Sequence, residues 1–227
     1  MQVLLFLFIP LLFLKPLIGK ETVVCLHGFM RSEKSMDKMA RAFEKEGYAT
    51  VNWSYPSKEG TIREHALYLN EKLQEIARKR PGEKIHFVTH SMGGIVLRTA
   101  INLPACPKEA QSGKAVLLAP PNKGARFAHF LGKYQWVHEV FGPHAGRELL
   151  TKKNFDEIGE FPPNMQVLVV GGVAGINPWL SGKNDGKVAF EETCLNTPHT
   201  HMKTWAGHSW MMWDKRVIKR SIEFLRD

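Results

Sequence analysis

The chain has 227 residues, 44% hydrophobic, 23% charged and 10% aromatic, with 31 Lys and Arg against 22 Asp and Glu and a net charge of +9. These values suit one globular core and exclude a disordered, collagenous or coiled-coil protein. Three cysteines are too few for a disulfide-framed miniprotein, and the absence of an internal repeat excludes a solenoid or propeller.

The positive charge can attract nucleic acid or anionic lipid headgroups. Its cations are scattered, however, and the densest cluster, Arg78, Lys79 and Arg80, closes a predicted helix where the dipole favours them. No nucleic-acid-binding module is present, so nucleic acid is not expected as a partner.

In chain order, Gln2 to Leu14 (QVLLFLFIPLLFL) is an apolar run ended by Lys15 and Lys20. At ~1.5 Å per residue it reaches only ~20 Å of a ~30 Å bilayer core, which suits a signal-peptide core better than a span. Pro16 to Gly19 lacks a clean small-x-small cleavage site, and Lys15 can lengthen the segment by snorkelling. Residues 1–20 are therefore read as a signal peptide or a membrane anchor, with a mis-assigned start or a buried strand left open. The expected location is exported, secreted or periplasmic, or membrane-anchored through this segment. Residues 21–227 are read as the folded domain.

Thr22 to Leu26 (TVVCL) is a continuous β-branched run that predicts a buried parallel strand. Ser35 to Lys45 has helical spacing and stops at Gly47; Ala49 to Tyr55 is a second strand. Thr61 to Arg80 carries one apolar helical stripe, from Ile62 to Ala77, ended by Pro81-Gly82. Lys84 to Thr89 is strand three, and Ser91 to about Asn102 the helix after it. Lys114 to Ala119, Gln166 to Val170 and His199 to Ala206 are strands four to six, and Lys215 to Leu225 is a closing helix. Alternating strands and helices predict an α/β fold with a doubly wound, mostly parallel sheet of about six strands and helices on both faces. Ligands then bind at the carboxyl ends of the strands.

The strongest signal is Thr89-His90-Ser91-Met92-Gly93-Gly94, at the passage from strand three into a helix. A sharp turn there lifts the Ser91 hydroxyl above the sheet, where a neighbouring base can activate it. Such a turn requires small neighbours: Gly93 satisfies this, whereas Thr89 stands where glycine is more usual and adds crowding. A serine helix cap with packing glycines is the competing explanation. Further turns weigh against it. His27-Gly28-Phe29 leaves the first strand, and the Phe29 and Met92 N–H groups can together form an oxyanion hole. Asp185 follows the fifth strand and His208 the sixth, in the chain order serine, acid, histidine.

These residues, with Ile85 to Arg98 (IHFVTHSMGGIVLR), Leu118 to Gly124 (LAPPNKG) and Asp185-Gly186-Lys187-Val188, resemble the α/β-hydrolases of small lipase and esterase type. The resemblance spans nearly all of the chain beyond the leader. It implies a minimal α/β-hydrolase fold in which Ser91 is the nucleophile, His208 the base and Asp185 its orienter. It further implies Phe29 and Met92 as oxyanion donors, and no cofactor.

Glu191, Glu192 and Asp214 are rival acids, although Asp214 is expected to cap the last helix. His27 and His90 are expected to hold structural hydrogen bonds. His199 and His201 share a strand face and could bind zinc, but no third ligand at sensible spacing accompanies them, and no metal is expected. Cys25 reads as a buried hydrophobe, and a Cys106–Cys194 disulfide is left open. Residues 123–163 exceed what the minimal fold needs and predict a helical cap insertion. Its aromatic residues, from Phe127 to Phe155, can line an acyl pocket or pack the cap down. Trp179, Trp210 and Trp213 flank the site in sequence and favour an acyl chain over a highly polar substrate.

The expectation is a carboxylic ester hydrolase, a monomer acting on acyl-lipid or medium-to-long acyl esters and associating with a membrane surface. An acyltransferase with the same residues, or a non-catalytic lipid-binding protein on this fold, remains the alternative.

Overall fold

A strand covered on both faces needs apolar side chains at successive positions, not alternate ones. In the computed structural model, which describes residues 21–227, β1 (Thr22–Leu26), β3 (Ile85–His90), β4 (Ala115–Leu118) and β5 (Val167–Gly172) are buried along their whole length, although β3 covers the polar His86, Thr89 and His90 as well. β2 (Ala49–Trp53) and β6 (Thr200–Thr204) are less covered and lie at the two edges. The order is β2-β1-β3-β4-β5-β6, and every pairing is parallel. The expected leader, residues 1–20, lies outside the described residues.

Alternation along each strand divides the core in two. Val24, Leu26, Phe87, Leu117 and Val169 point to one face, beneath α2 (Ile62–Lys79) and α3 (Met92–Ile101). Val23, Cys25, Val88, Val116 and Leu168 point to the other, beneath α1 (Asp37–Lys45) and α8 (Lys215–Arg226). Between α3 and β4 lies the short α4 (Lys108–Gln111). α2 begins with a reciprocal cap: Glu64 N–H donates to Thr61 Oγ1 at 3.1 Å and Thr61 N–H to Glu64 Oε2 at 2.7 Å, an arrangement of roughly 1 kcal/mol. Asp214 caps α8 as expected, accepting from Arg216 N–H at 2.8 Å.

Between β4 and β5 stand α5 (Arg126–Leu131), α6 (Gln135–Phe141) and α7 (Ala145–Thr151), the helices of the expected cap. α7 buries Leu149 and Leu150, whereas α5 buries no side chain. The α7 end therefore packs down onto the body, while the side chains of α5 stay partly or wholly uncovered. The Cys106–Cys194 pairing does not form. All three cysteines are free thiols, because Cys106 is buried in the α2–α3 core while Cys194 faces His201 beside β6.

The cap's base is fastened by Arg98 of α3, a guanidinium only 1% exposed. It donates to Phe155 O and, at 3.4 Å, to Asn122 Oδ1, and Asn122 in turn donates to Thr193 O at 2.8 Å. Arg98→Leu leaves these buried acceptors without donors and is expected to destabilise the fold by roughly 1–3 kcal/mol, seen as a lower midpoint in urea unfolding with an unchanged slope.

Candidate active site

β3 passes into α3 through a single residue, Ser91, held at φ 53°, ψ −124°. For a residue with a Cβ this conformation costs ~1–3 kcal/mol and persists only when its surroundings impose it. Here they do: Ser91 N–H donates to Leu118 O at 2.8 Å, and Gly94 N–H to Ser91 O at 2.9 Å. The end of β1 presses on the same turn. A Cβ on Gly93 would lie 2.6 Å from His27 O, and one on Gly28 would lie 3.0 Å from Ser91 Cβ. Gly93 is thus demanded by the neighbouring strand as well as by its own turn. Thr89 is tolerated because Gly94 has no side chain: a Cβ there would stand 3.2 Å from Thr89 Oγ1.

The structure brings together Ser91, His208 and Asp185. His208 Nε2 lies 3.1 Å from Ser91 Oγ, and His208 Nδ1 lies 2.7 Å from Asp185 Oδ2. The other carboxylate oxygen of Asp185 accepts from Lys187 N–H at 2.9 Å and Val188 N–H at 2.8 Å. Four hydrogen bonds thus lock the acid and histidine in place, the fourth being His208 N–H to Asp185 O at 2.9 Å. The carboxylate fixes the proton on His208 Nδ1, so the Nε2 lone pair faces the serine. Asp185 does not leave β5 directly. The chain loops out beyond Val173 and returns, with Gly175 N–H on Asn184 O at 2.8 Å, to seat Asp185 against Gly172.

Two of the rival acids are engaged elsewhere, and Glu191 is exposed. Glu192 accepts from Arg126 N–H and Ala189 N–H, both at 2.7 Å, and Asp214 caps α8. His90 and His27 have structural partners: His90 Nε2 lies 2.9 Å from His208 O, while the His27 ring stacks on Tyr55, whose hydroxyl donates to His27 O at 2.7 Å. Tyr55 was not singled out by sequence; its place at the end of the second predicted strand was its only signal.

Met92 opens α3, so its N–H has no acceptor within the helix. In the loop after β1, Met30 N–H donates to Ser57 Oγ at 3.0 Å and Arg31 N–H to Gly28 O at 3.3 Å. Among the described residues the Phe29 N–H has no such partner. Two amides beside Ser91 are therefore left for an external acceptor, and the Phe29 ring packs on Phe141 of the cap at 5.2 Å.

Residues 19–119, which include Ser91, match a family described as "Putative serine esterase (DUF676)". Among solved structures, a mature lipase of Bacillus licheniformis superposes with TM-score 0.67 at 21% identity, over 91% of this chain and 90% of its own. The chain has the α/β-hydrolase fold. An esterase of Pyrococcus furiosus gives TM-score 0.62 at 19% identity, over 92% of this chain and 82% of its own. A carboxyl esterase from a metagenome gives 0.64 at 18%, over 84% and 65%. No curated protein sequence matches this chain. At these identities the solved structures share the fold with this chain.

Four histidines around the sheet, His27, His65, His86 and His90, are held below the ordinary histidine value, with burial the largest cause for each and the effect strongest at His90. Below about pH 6.5 the unfolded chain takes up protons that these buried rings refuse. The unfolded state then binds more protons, so stability is full above that pH and falls as pH drops through the window. Urea midpoints measured from about pH 7 down to about pH 5 should fall accordingly, and His90→Gln should flatten the decline.

Proposed function

We propose that the chain is a serine carboxylester hydrolase acting on acyl-lipid or medium-to-long acyl esters. The observation that carries this reading is the continuous relay from Ser91 Oγ to His208 at 3.1 Å and from His208 to Asp185 at 2.7 Å. Ser91 Oγ attacks the acyl carbon as its proton passes to His208 Nε2, and Asp185 stabilises the imidazolium. The developing oxyanion is received by the Phe29 and Met92 N–H groups, each worth ~10²–10³ in rate. His208 then protonates the leaving alcohol, takes a proton from water, and the hydroxide releases the acid from the acyl-enzyme.

The preference for an acyl chain is supported by the open end of the cap. Phe130 of α5 stacks on Trp179 at 5.3 Å, Phe127 lies 6.3 Å from the same ring, and Trp179 itself is 58% exposed. This apolar surface flanks the loop that returns to Asp185, while Phe29 and Phe141 flank the oxyanion side. Lys38, Arg41, Lys45, Lys215 and Lys219 line a groove between α1 and α8, which outnumbers its acids and suits an anionic lipid surface. With the apolar run at residues 2–14, this supports an exported or membrane-anchored enzyme.

Hydrolysis of p-nitrophenyl esters from short to long acyl chains tests the reading. Turnover is expected to peak at medium or long chains and to fall at least ~10⁴-fold in Ser91→Ala. Turnover unchanged by that substitution would overturn it. Trp179→Ala should reduce long-chain hydrolysis several-fold more than short-chain hydrolysis, read as a shift in the chain-length profile of kcat/KM.

A further inference from the structure

We propose that Cys194, His199 and His201 bind a borderline-soft divalent metal ion of the zinc class, tying the edge strand β6 to the 3-10 turn Phe190–Thr193. The inference is independent of Ser91 chemistry. The ligand atoms of the three residues lie within 4.8 Å of one another, and Cys194 Sγ is 3.5 Å from His201 Nδ1. A zinc–sulfur bond of ~2.3 Å and a zinc–nitrogen bond of ~2.0–2.1 Å at a tetrahedral angle place sulfur and nitrogen ~3.5 Å apart. All three residues are half-buried and therefore reachable.

The hydrogen bonds around the two rings fix their protons on the far side. Thr193 Oγ1 has one proton, given to Phe190 O at 2.7 Å, so at 2.9 Å from His201 Nε2 it must accept. His201 therefore carries its proton on Nε2 and turns the Nδ1 lone pair toward Cys194 Sγ. His199 Nδ1 lies 2.8 Å from Thr197 O, an atom that only accepts, which puts that proton on Nδ1 and frees the Nε2 lone pair. A donor to a protein oxygen on the non-ligating nitrogen is how metal-binding histidines are held. The Phe190 ring lies flat on His201, centroids 3.9 Å apart and planes within 7°, and fixes its rotation.

Binding forms one metal–sulfur and two metal–nitrogen bonds and releases the Cys194 thiol proton to solvent. The fourth tetrahedral position is left to water. Sequence spacing hid the site because Cys194 and the two histidines belong to different elements. Only the fold of the turn before β6 supplies the third ligand that His199 and His201 lack on their own strand.

The test uses the full, reduced, chelator-treated protein with cobalt(II) as probe and zinc(II) as competitor. Expected is one cobalt ion per chain with the intense d–d bands and thiolate charge-transfer absorption of a tetrahedral site, displaced by zinc. Cys194→Ser should abolish the charge-transfer band, and His201→Gln should weaken binding at least ~10-fold. Thr193→Val, which removes only the partner of His201 Nε2, should weaken it ~10–100-fold, while Cys106→Ser should change nothing. A wild-type protein without this spectrum would leave only a thiol–imidazole hydrogen bond and overturn the proposal. So would a charge-transfer band that survives Cys194→Ser.

Discussion

The contact on which the rest of the structure depends is the approach of the end of β1 to the turn between β3 and α3. His27 O stands where a side chain on Gly93 would have to go, and Ser91 Cβ where one on Gly28 would, and this close approach holds Ser91 in a backbone conformation it would not adopt alone. Three consequences share that cause. The Ser91 hydroxyl is raised clear of the sheet, α3 begins with its free amides beside it, and the Phe29 peptide lies next to both. The loops carrying Asp185 and His208 then need only reach the same edge, which an all-parallel sheet guarantees by ending every strand there.

Burial supports this arrangement through polar groups as well as apolar ones. Asp185 is covered, yet its carboxylate has three donors, two of them backbone amides two and three residues ahead. That local clasp makes the acid independent of how the long loop before it runs. His90 and His27 similarly commit their rings to backbone or aromatic partners. Buried imidazoles so engaged stay neutral, which keeps additional positive charge away from His208.

Much of this was legible in the sequence because it is written in short-range patterns. Thr22 to Leu26 read as a buried strand from its unbroken apolar run and Gln166 to Val170 as the fifth strand, and both are strands within a residue or two of the expected limits. The number of strands, their mostly parallel pairing and the strand-to-helix setting of Ser91 followed from alternation, whereas the order of the strands came from the structure. What was not legible depends on distance across the fold. The requirement for Gly93 was attributed to its own turn, but β1 imposes the tightest contact. Asp185 was read as leaving β5 directly, whereas a loop intervenes and returns. Nothing local to Arg98 announces that Phe155 O and Asn122 will need it. Cys194 was set apart from His199 and His201 for the same reason.

The fastening of the cap has an architectural consequence. Its first stem is held by Arg126, whose amide and Nε both reach Glu192 Oε1, and its second by Arg98 on Phe155 O. A segment riveted at both feet is an arch, not a flap. Its two ends are tied to the body, and α7, with Leu149 and Leu150 sunk in the body, is the abutment that carries the span of α5 and α6.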